Sequence, residues 1–407
     1  VVDEQLLVAE RVPEDRLLDY ARAVGRHFHE SEEVEDARPY LRAFEQGYRA
    51  WWIRHQDRTV ANLGVIETDL SLPGGARLPV AGITAVGVSQ AMRRRGLLTT
   101  LLAASLSEAR GRGEPAAALY ASESAIYGRY GFGIAVPHQA YRADRLRIRF
   151  RDPVDVRLVE ETSPEAARSS WPAIHDALRQ QRGGSVGYSP GMWHLGLLED
   201  PPGWRDGATA RRLVEVPGRG YARYRVRGRE DGHRPAGTVL LGELVATDPE
   251  AESALWQHVL DIDLTADIES WIRPPDDAIA HLLTDPLALG TFEGPPLYVR
   301  ILDVARFFRE RSYGSTGTIV LAVEDLNGPA GGRWHLDVGP DGARCEPTSK
   351  AAEVTVPIDA LPGIVLGGRR ATSLLAGRRI EEARPGAAAA LDRLVATERA
   401  PWTTMIF

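Results

Sequence analysis

The stretch AVGVSQAMRRRGLLTTLL, Ala85–Leu102, decides how this chain is read. An apolar, strand-like segment runs into three arginines, a glycine and a leucine-rich segment with helical spacing. The charge falls where a strand hands over to a helix. A helix start leaves several backbone N–H groups free and carries roughly +0.5 of an elementary charge. A phosphate placed there gains hydrogen bonds and a favourable dipole. Gly96 allows close backbone approach, and arginines add forked, charge-assisted bonds. RRRGLL therefore reads as a pyrophosphate cradle, with a solvated basic helix cap and a nucleic-acid contact as the other readings. The Walker pattern G-x-x-x-x-G-K-[ST] and the Rossmann G-x-G-x-x-G are both absent from this stretch.

The rest of the composition narrows these choices. A net charge of −7 disfavours a general nucleic-acid binder. With 407 residues the chain exceeds what one hydrophobic core usually serves. Apolar residues at 43% and charged residues at 26% make an ordinary globular balance. The single cysteine, Cys345, excludes an intrachain disulfide and a cysteine-built zinc site, and a reducing, cytoplasmic setting is expected. No apolar run reaches the roughly 18–20 residues of a membrane helix, so no membrane insertion is expected. The first residues lack the basic-then-apolar form of a signal peptide, and Val1 in place of Met suggests a trimmed start.

Three segments emerge along the chain. Residues 1–150 read as mixed α/β in the order β–α–β–β–β–α–β–α. The strands fall near Ala50–Arg54, Val60–Glu67, Leu78–Val88 and Ala116–Ser122, with a hairpin turn at Leu72–Gly75. The helix over Leu97–Arg110 is expected to bury Leu98, Leu101, Leu102 and Leu106. Residues 151–292 open with a partial echo: LVAERVPE at Leu7–Glu14 returns as LVEETSPE at Leu158–Glu165. Further on, TVLLGELVATDPEAESALWQHVLDI repeats the strand–loop–helix form, with Asp248, Glu250 and Glu252 where the first copy has arginines. Residues 293–407 carry strands LYVRIL, GTIVLAV, RWHLDV and EVTVPI, two of the gaps between them filled by the hairpin signals LNGPAGG and GPDG. Helices follow at Ala371–Glu382 and Gly386–Thr397. An α+β unit with an antiparallel sheet is expected there.

The run AVGVSQAMRRRGLLTTLL…ALYASESAIYGRYGFGIA resembles the acetyl-CoA-binding half of GCN5-related N-acetyltransferases (GNATs). It is most similar to the Eis (enhanced intracellular survival) family, multi-acetylating aminoglycoside and lysine acetyltransferases of actinobacteria. Val86–Ala135 carries the dense part of the likeness. Looser matches extend it: HLLTDP at His281–Pro286, GARCEPT at Gly342–Thr348 and a terminal phenylalanine. The resemblance implies an α/β (α+β) fold: a catalytic GNAT domain over 1–150, a second, degenerate GNAT-like domain over 151–292, and a sterol-carrier-protein-like α+β domain over 293–407. It also implies acetyl-CoA as co-substrate, no metal, and a homo-oligomer, hexameric in the family. The superfamily loop [QR]-x-x-G-x-[GA] stands here as Arg93-x-x-Gly96-x-Leu98, with leucine replacing the last small residue.

By this resemblance Val86, Gly87 and Val88 lend backbone to the pantetheine arm. Arg93, Arg94, Arg95, Gly96, Leu97, Leu98 and Thr99 hold the diphosphate, and Ser122 and Glu123 line the cofactor after the next strand. Acidic groups at the second domain's equivalent loop would repel a diphosphate, so no cofactor is expected there. Acetyl transfer to an amine needs a free lone pair and a proton for the departing thiolate. Tyrosine, with a pKa of about 10, is suited to protonate a thiolate, and Tyr127 matches the family's acid within I-Y-G-R-Y-G. Tyr130 is expected to be structural and Tyr120 to face a core. The apolar end PWTTMIF favours burial over fraying. Threaded back to the first domain, the Phe407 α-carboxylate would enter the active site, as in Eis-like enzymes. Its unperturbed pKa of about 3.3–3.7 suits it to orient an amine or to accept a proton late.

The segment RHFHESEEVED, Arg26–Asp36, is expected to be a loop beside the acceptor pocket. Phe28, Glu30, Glu33 and Ala85 are assigned to the acceptor side, the acids attracting a polycation. His27 and His29 beside carboxylates leave a metal conceivable. Two other functions stay open: a lipid-binding or regulatory module acting through the third domain, and a transferase for long-chain acyl-CoA.

Overall fold

The computed structural model describes residues 7–30, 47–326 and 328–407. Strands β1 (Glu10–Arg11), β2 (Tyr48–His55), β3 (Arg58–Ser71), β4 (Arg77–Val88) and β5 (Ala116–Tyr120) begin one large sheet. β2, β3 and β4 form an antiparallel meander. Its β3–β4 turn at Pro73–Gly75 uses left-handed backbone at Gly74 (φ 95°) and Gly75 (φ 87°). β4 and β5 run parallel, so the chain must cross over between them. The helix Leu97–Gly111 makes that crossing. It buries Leu97, Leu101, Leu102, Ser105 and Ala109, a stripe turned slightly from the expected one, because Leu98 and Leu106 stay partly exposed.

The sheet continues through β6 (Gly133–Asp144) into the second segment. There it gains β7 (Glu160–Glu161), β8 (Arg212–Val216), β9 (Gly220–Arg227), β12 (Gly237–Ala246) and β13 (Thr265–Arg273); a separate small hairpin, β10 (Glu230–Asp231) and β11 (Arg234–Pro235), lies outside it. The echoed sequences occupy equivalent places. β1 and β7 are the two outermost strands of a twelve-stranded sheet, and a helical segment follows each.

β14 (Thr291–Ile301) departs from the sequence reading. Its LYVRIL core was expected beside the C-terminal strands, yet it inserts between β5 and β6 of the first segment. β6 in turn carries its far half, Gln139–Asp144, across to β13. The two α/β units thus exchange their last strands, and one hydrogen-bonded ladder runs through both.

The third unit is a five-stranded sheet in the order β17 (Gly342–Pro347), β16 (Gly332–Gly339), β15 (Gly317–Glu324), β18 (Val354–Pro357), β19 (Glu381–Glu382). The hairpins at LNGPAGG and GPDG form as expected. β18, however, pairs parallel to β15, so this sheet is mixed rather than antiparallel. The first expected helix stops early, at Ala371–Ala376, where Gly377 and Arg378 (φ 56°) end it. The second spans Ala387–Leu394, and an unexpected helix covers Leu361–Leu366. This unit docks on β6 through close backbone contacts. A Cβ at Gly363 would lie 2.7 Å from the Ile134 carbonyl oxygen, and one at Gly368 would lie 2.3 Å from that of Ala135. A continuous buried cluster joins Leu70, Val80, Ala118 and Val299 of the large sheet to Leu321, Val356, Leu361 and Ile364 of the third unit.

Candidate active site

The β4–β5 ladder stops at Ile83 opposite Leu119. Beyond that pair Thr84–Val88 continue along β3 alone, so β4 and β5 part at their carboxyl ends. The wedge between them is bounded by the arginine loop, the turn after β5 and the C-terminus of the chain.

The arginine loop has the form the diphosphate reading requires. Arg93, Arg94, Arg95 and Gly96 are exposed. Arg94 (φ 64°) and Gly96 (φ 78°) both adopt left-handed backbone, which wraps the loop into the helix start. The first backbone bond of the helix runs from the Thr100 N–H to the Gly96 carbonyl. Among the described residues the amides from Arg94 to Thr99 donate to no protein acceptor, and no side chain caps the helix. Space above Gly96 is open, since a Cβ there would meet nothing within 4 Å. Free amides, left-handed turns and three exposed guanidinium groups fit a diphosphate. Leu97 is buried in the core, so only its backbone could face such a group, while Leu98 is partly buried.

After β5, Ser122 and Glu123 are exposed, and the Glu123 carbonyl accepts from the Ile126 N–H to start the short helix Ser124–Tyr127. Tyr127 is buried, its ring edge-on to Phe132 at 6.1 Å. Burial raises its pKa, with the charge of Glu123 and then Tyr130 adding to the effect. Tyr127 is therefore a protonated acid at neutral pH. Tyr130 bonds Thr99 Oγ1 at 3.0 Å, tying this turn to the arginine-loop helix.

The tail does thread back. Ala400 accepts from Arg182 and donates to Asp276. The Trp402 N–H donates to the Gly183 carbonyl, and its indole N–H to that of Ile272. Thr403 Oγ1 accepts from the Val186 N–H, and Thr404 bonds Tyr188 at 3.2 Å. Phe407 then lies over β4, 3.2 Å from where a Cβ on Gly82 would stand, with Tyr120 edge-on to it. Tyr120, expected only to face a core, is thus the floor for the last residue. Residues alternate faces along β5, and Tyr127 packs with the core that holds Ala117 and Leu119, Phe407 with the one that holds Ala116 and Ala118. The two approach the parted strands from opposite sides.

On the acceptor side, Arg26–Phe28 complete the helix Leu17–Phe28 rather than forming a loop. Phe28 and Glu30 are exposed, and Glu33 lies outside the described residues, as do Glu32, Glu35 and Asp36. Sequence reasoning missed the partners of His27. Its ring bonds Asn62 and Ser89, which takes both nitrogens and leaves none for a metal. Among the described residues no cluster of three or more metal-ligating side chains occurs. No helix among them is long and apolar enough to cross a membrane. Burial pushes the Cys345 thiol up to about 12, which makes it a poor nucleophile.

The second domain's equivalent helix start is built differently. Asp248 caps the helix Pro249–Leu260 by accepting from the Glu250 and Ala251 amides, and Arg219 pairs with both Asp248 and Glu250. A carboxylate already stands where a phosphate would.

Comparison with known proteins accords with this geometry. Residues 9–135 and 184–301 each match an acetyltransferase (GNAT) domain, and residues 304–404 match a sterol carrier protein domain. The N-acetyltransferase Eis of Mycobacterium tuberculosis is 35% identical, with 76% of each chain covered. The chain belongs to the Eis-like family of GCN5-related N-acetyltransferases. An uncharacterized N-acetyltransferase of Streptomyces avermitilis is 35% identical over 97% of both chains. The crystal structure of Eis1 from Mycobacterium abscessus superposes with a TM-score of 0.83 at 29% identity, covering 99% of this chain and 100% of that one. A GCN5-related N-acetyltransferase from Anabaena variabilis shares the fold at a TM-score of 0.81 and 18% identity, with 98% of this chain and 99% of that one covered. This Eis-like chain is thus an N-acetyltransferase of two GNAT domains and a sterol-carrier-like domain, and acetyltransferases of the GNAT fold use acetyl-CoA.

Proposed function

We propose that the protein transfers the acetyl group of acetyl-CoA directly to a primary amine of a polycationic small molecule or a lysine side chain. The observation that carries this reading is the wedge between β4 and β5, with free helix-start amides at one end and the chain terminus at the other. In this reading the Arg94–Thr99 amides and the three arginines hold the diphosphate, and Val86 and Val88 bind the pantetheine arm. The acceptor amine enters from the Phe407 side. Tyr127 protonates the departing thiolate, and its raised pKa keeps the proton available. The Phe407 carboxylate orients the neutral amine, the form that carries the lone pair, and takes the proton once attack has made the nitrogen acidic. No covalent acyl-enzyme is needed, and the buried, high-pKa Cys345 is no candidate for one. The expected setting is a cytoplasmic homo-oligomer, hexameric by likeness to the family, which light scattering on the purified chain would measure.

The test is thiol release from acetyl-CoA against a panel of aminoglycosides, polyamines and lysine peptides. Amine-dependent release with at least one of them is expected. Release from long-chain acyl-CoA but not from acetyl-CoA would overturn the acetyl reading.

A further inference from the structure

β4 carries a bulge at the mouth of the wedge. Asn62 pairs with Gly87 and Gly64 with Thr84, so three steps of β4 oppose two of β3. The additional residue falls at Ala85–Val86, and Ala85 takes left-handed backbone at φ 49°. A non-glycine residue in this region is strained and persists only where its surroundings hold it.

A polar chain does the holding. Asn62 is fully buried, and its Nδ2 donates to the Ala85 carbonyl. A carbonyl only accepts, so this bond fixes which end of the Asn62 amide faces His27. Asn62 Oδ1 therefore meets His27 Nδ1, which must carry the proton. His27 Nε2 is left as an acceptor and takes the Ser89 hydroxyl at 2.9 Å. His27 comes from the last turn of the helix Leu17–Phe28, pressed on the strand so closely that a Cβ at Gly87 would lie 2.6 Å from its own Cβ.

The peptide plane converts this into an aim. The Ala85–Val86 peptide is trans, so the Ala85 C=O and the Val86 N–H point in opposite directions. With the carbonyl drawn toward β3, the Val86 N–H turns to the side where β5 has already left the ladder.

We infer that Asn62 and His27 are positioning residues for acetyl transfer, clamping the Ala85–Val86 peptide so that its N–H faces the thioester carbonyl oxygen as charge develops there. The inference rests on the acetyl-CoA reading of the wedge. A preorganised donor acts on the transition state more than on bound cofactor, so its loss has a signature that a packing role lacks.

The experiment compares Asn62→Leu, His27→Asn and His27→Gln with wild type, measuring kcat, KM for acetyl-CoA and the Kd of CoA. CoA has no acyl carbonyl and reports the diphosphate and pantetheine contacts alone. Asn62→Leu is expected to lower kcat roughly tenfold to a hundredfold, with KM and the CoA Kd within about threefold. His27→Asn preserves a donor near the Nδ1 position and should keep most of kcat. His27→Gln reaches Ser89 instead and should fall with Asn62→Leu. The two His27 variants differ by one methylene, so their contrast survives if Asn62→Leu folds poorly. Unchanged kcat in Asn62→Leu, equal kcat in the two His27 variants, or a CoA Kd rising in step with the kcat loss would each overturn the positioning role. A wild type that releases no thiol with any amine would instead overturn the reading beneath it.

Discussion

The ring of Phe407, the last residue, meets Tyr120 edge-on with centroids 5.7 Å apart and planes at 81°. That contact brings the chain terminus to the carboxyl end of β5, where β4 and β5 separate. Tail anchoring and the proposed tail function lie on different residues. Trp402, Thr403 and Thr404 are buried and hydrogen-bonded, whereas Ile406 is exposed and Phe407 partly so.

Removing Phe407 should therefore cost activity and not fold. We expect kcat to fall at least about tenfold, the scale of one acid–base participant or less, with thermal stability nearly unchanged. A one-residue C-terminal extension, which moves the carboxylate without removing the ring, should do the same. Trp402→Ala is the contrasting variant. It empties a buried site between Arg182 and Arg273 and should cost about 3–5 kcal/mol in urea unfolding.

Tyr127→Phe keeps the ring contact with Phe132 and deletes only the hydroxyl. A drop in kcat of roughly 10²–10⁴-fold is expected, with CoA binding intact. The raised pKa sets the pH dependence. The neutral, donating form persists above the ordinary tyrosine value near 10, so the wild-type kcat should show no alkaline decline from this group below about pH 10. A pH–rate profile with saturating acetyl-CoA checks the sign.

Much of this was legible in the sequence, and what was not has a common cause. The β2–β4 meander, the crossover helix and the arginine loop are local patterns of period and turn chemistry. The apolar PWTTMIF pointed to a buried end. The insertion of β14 between β5 and β6 left no local trace, because a strand's apolar pattern says that it is buried and not which ladder it joins. Helix Leu361–Leu366 contains Pro362 and Gly363, residue types that disfavour a helix interior, yet proline is tolerated in a first turn and the glycine is needed against Ile134. The grouping of His27 with Asn62 and Ser89 has no local sequence signature, because these partners lie 35 and 62 residues away. Only the fold makes them a group.

Acid should loosen the tail before the rest of the molecule. His138 stacks on Tyr120 and donates to the Pro295 carbonyl, and His175 bonds Thr404. Burial lowers the first to about 4 and the second to about 3, the charges of Arg77 and Arg223 adding to the burial of His175. In the unfolded chain both take up protons near pH 6.5. The folded state therefore holds its full share of stability above pH 6.5 and loses it as pH falls toward 4 and then 3. Each group should contribute up to about 1.4 kcal/mol per pH unit in that window. Urea midpoints from pH 7.5 to 4.5 test this, and His138→Gln should flatten the slope.

The two GNAT-like domains should differ in cofactor stoichiometry. In the first, the helix start offers free amides beside Arg93, Arg94 and Arg95. In the second, Asp248 fills the equivalent amides, is held by Arg219, and has its pKa lowered chiefly by that side-chain bond, so it stays ionised. A diphosphate approaching Asp248 and Glu250 would face like charge as well as an occupied cap, whereas Glu252 is mostly buried, near Arg273. Calorimetric titration with CoA should give one site per chain. Arg94→Ala should weaken that site and raise KM for acetyl-CoA with little change in kcat, because a diphosphate contact is made equally in ground and transition states. Asp248→Ala should leave the stoichiometry at one and cost about 1 kcal/mol of stability as a lost helix cap. A second equivalent of CoA bound to wild type would overturn the assignment of the second domain as a non-binding wall. A second equivalent appearing only in Asp248→Ala would show that this one carboxylate, rather than the acidic cluster, keeps the cofactor out.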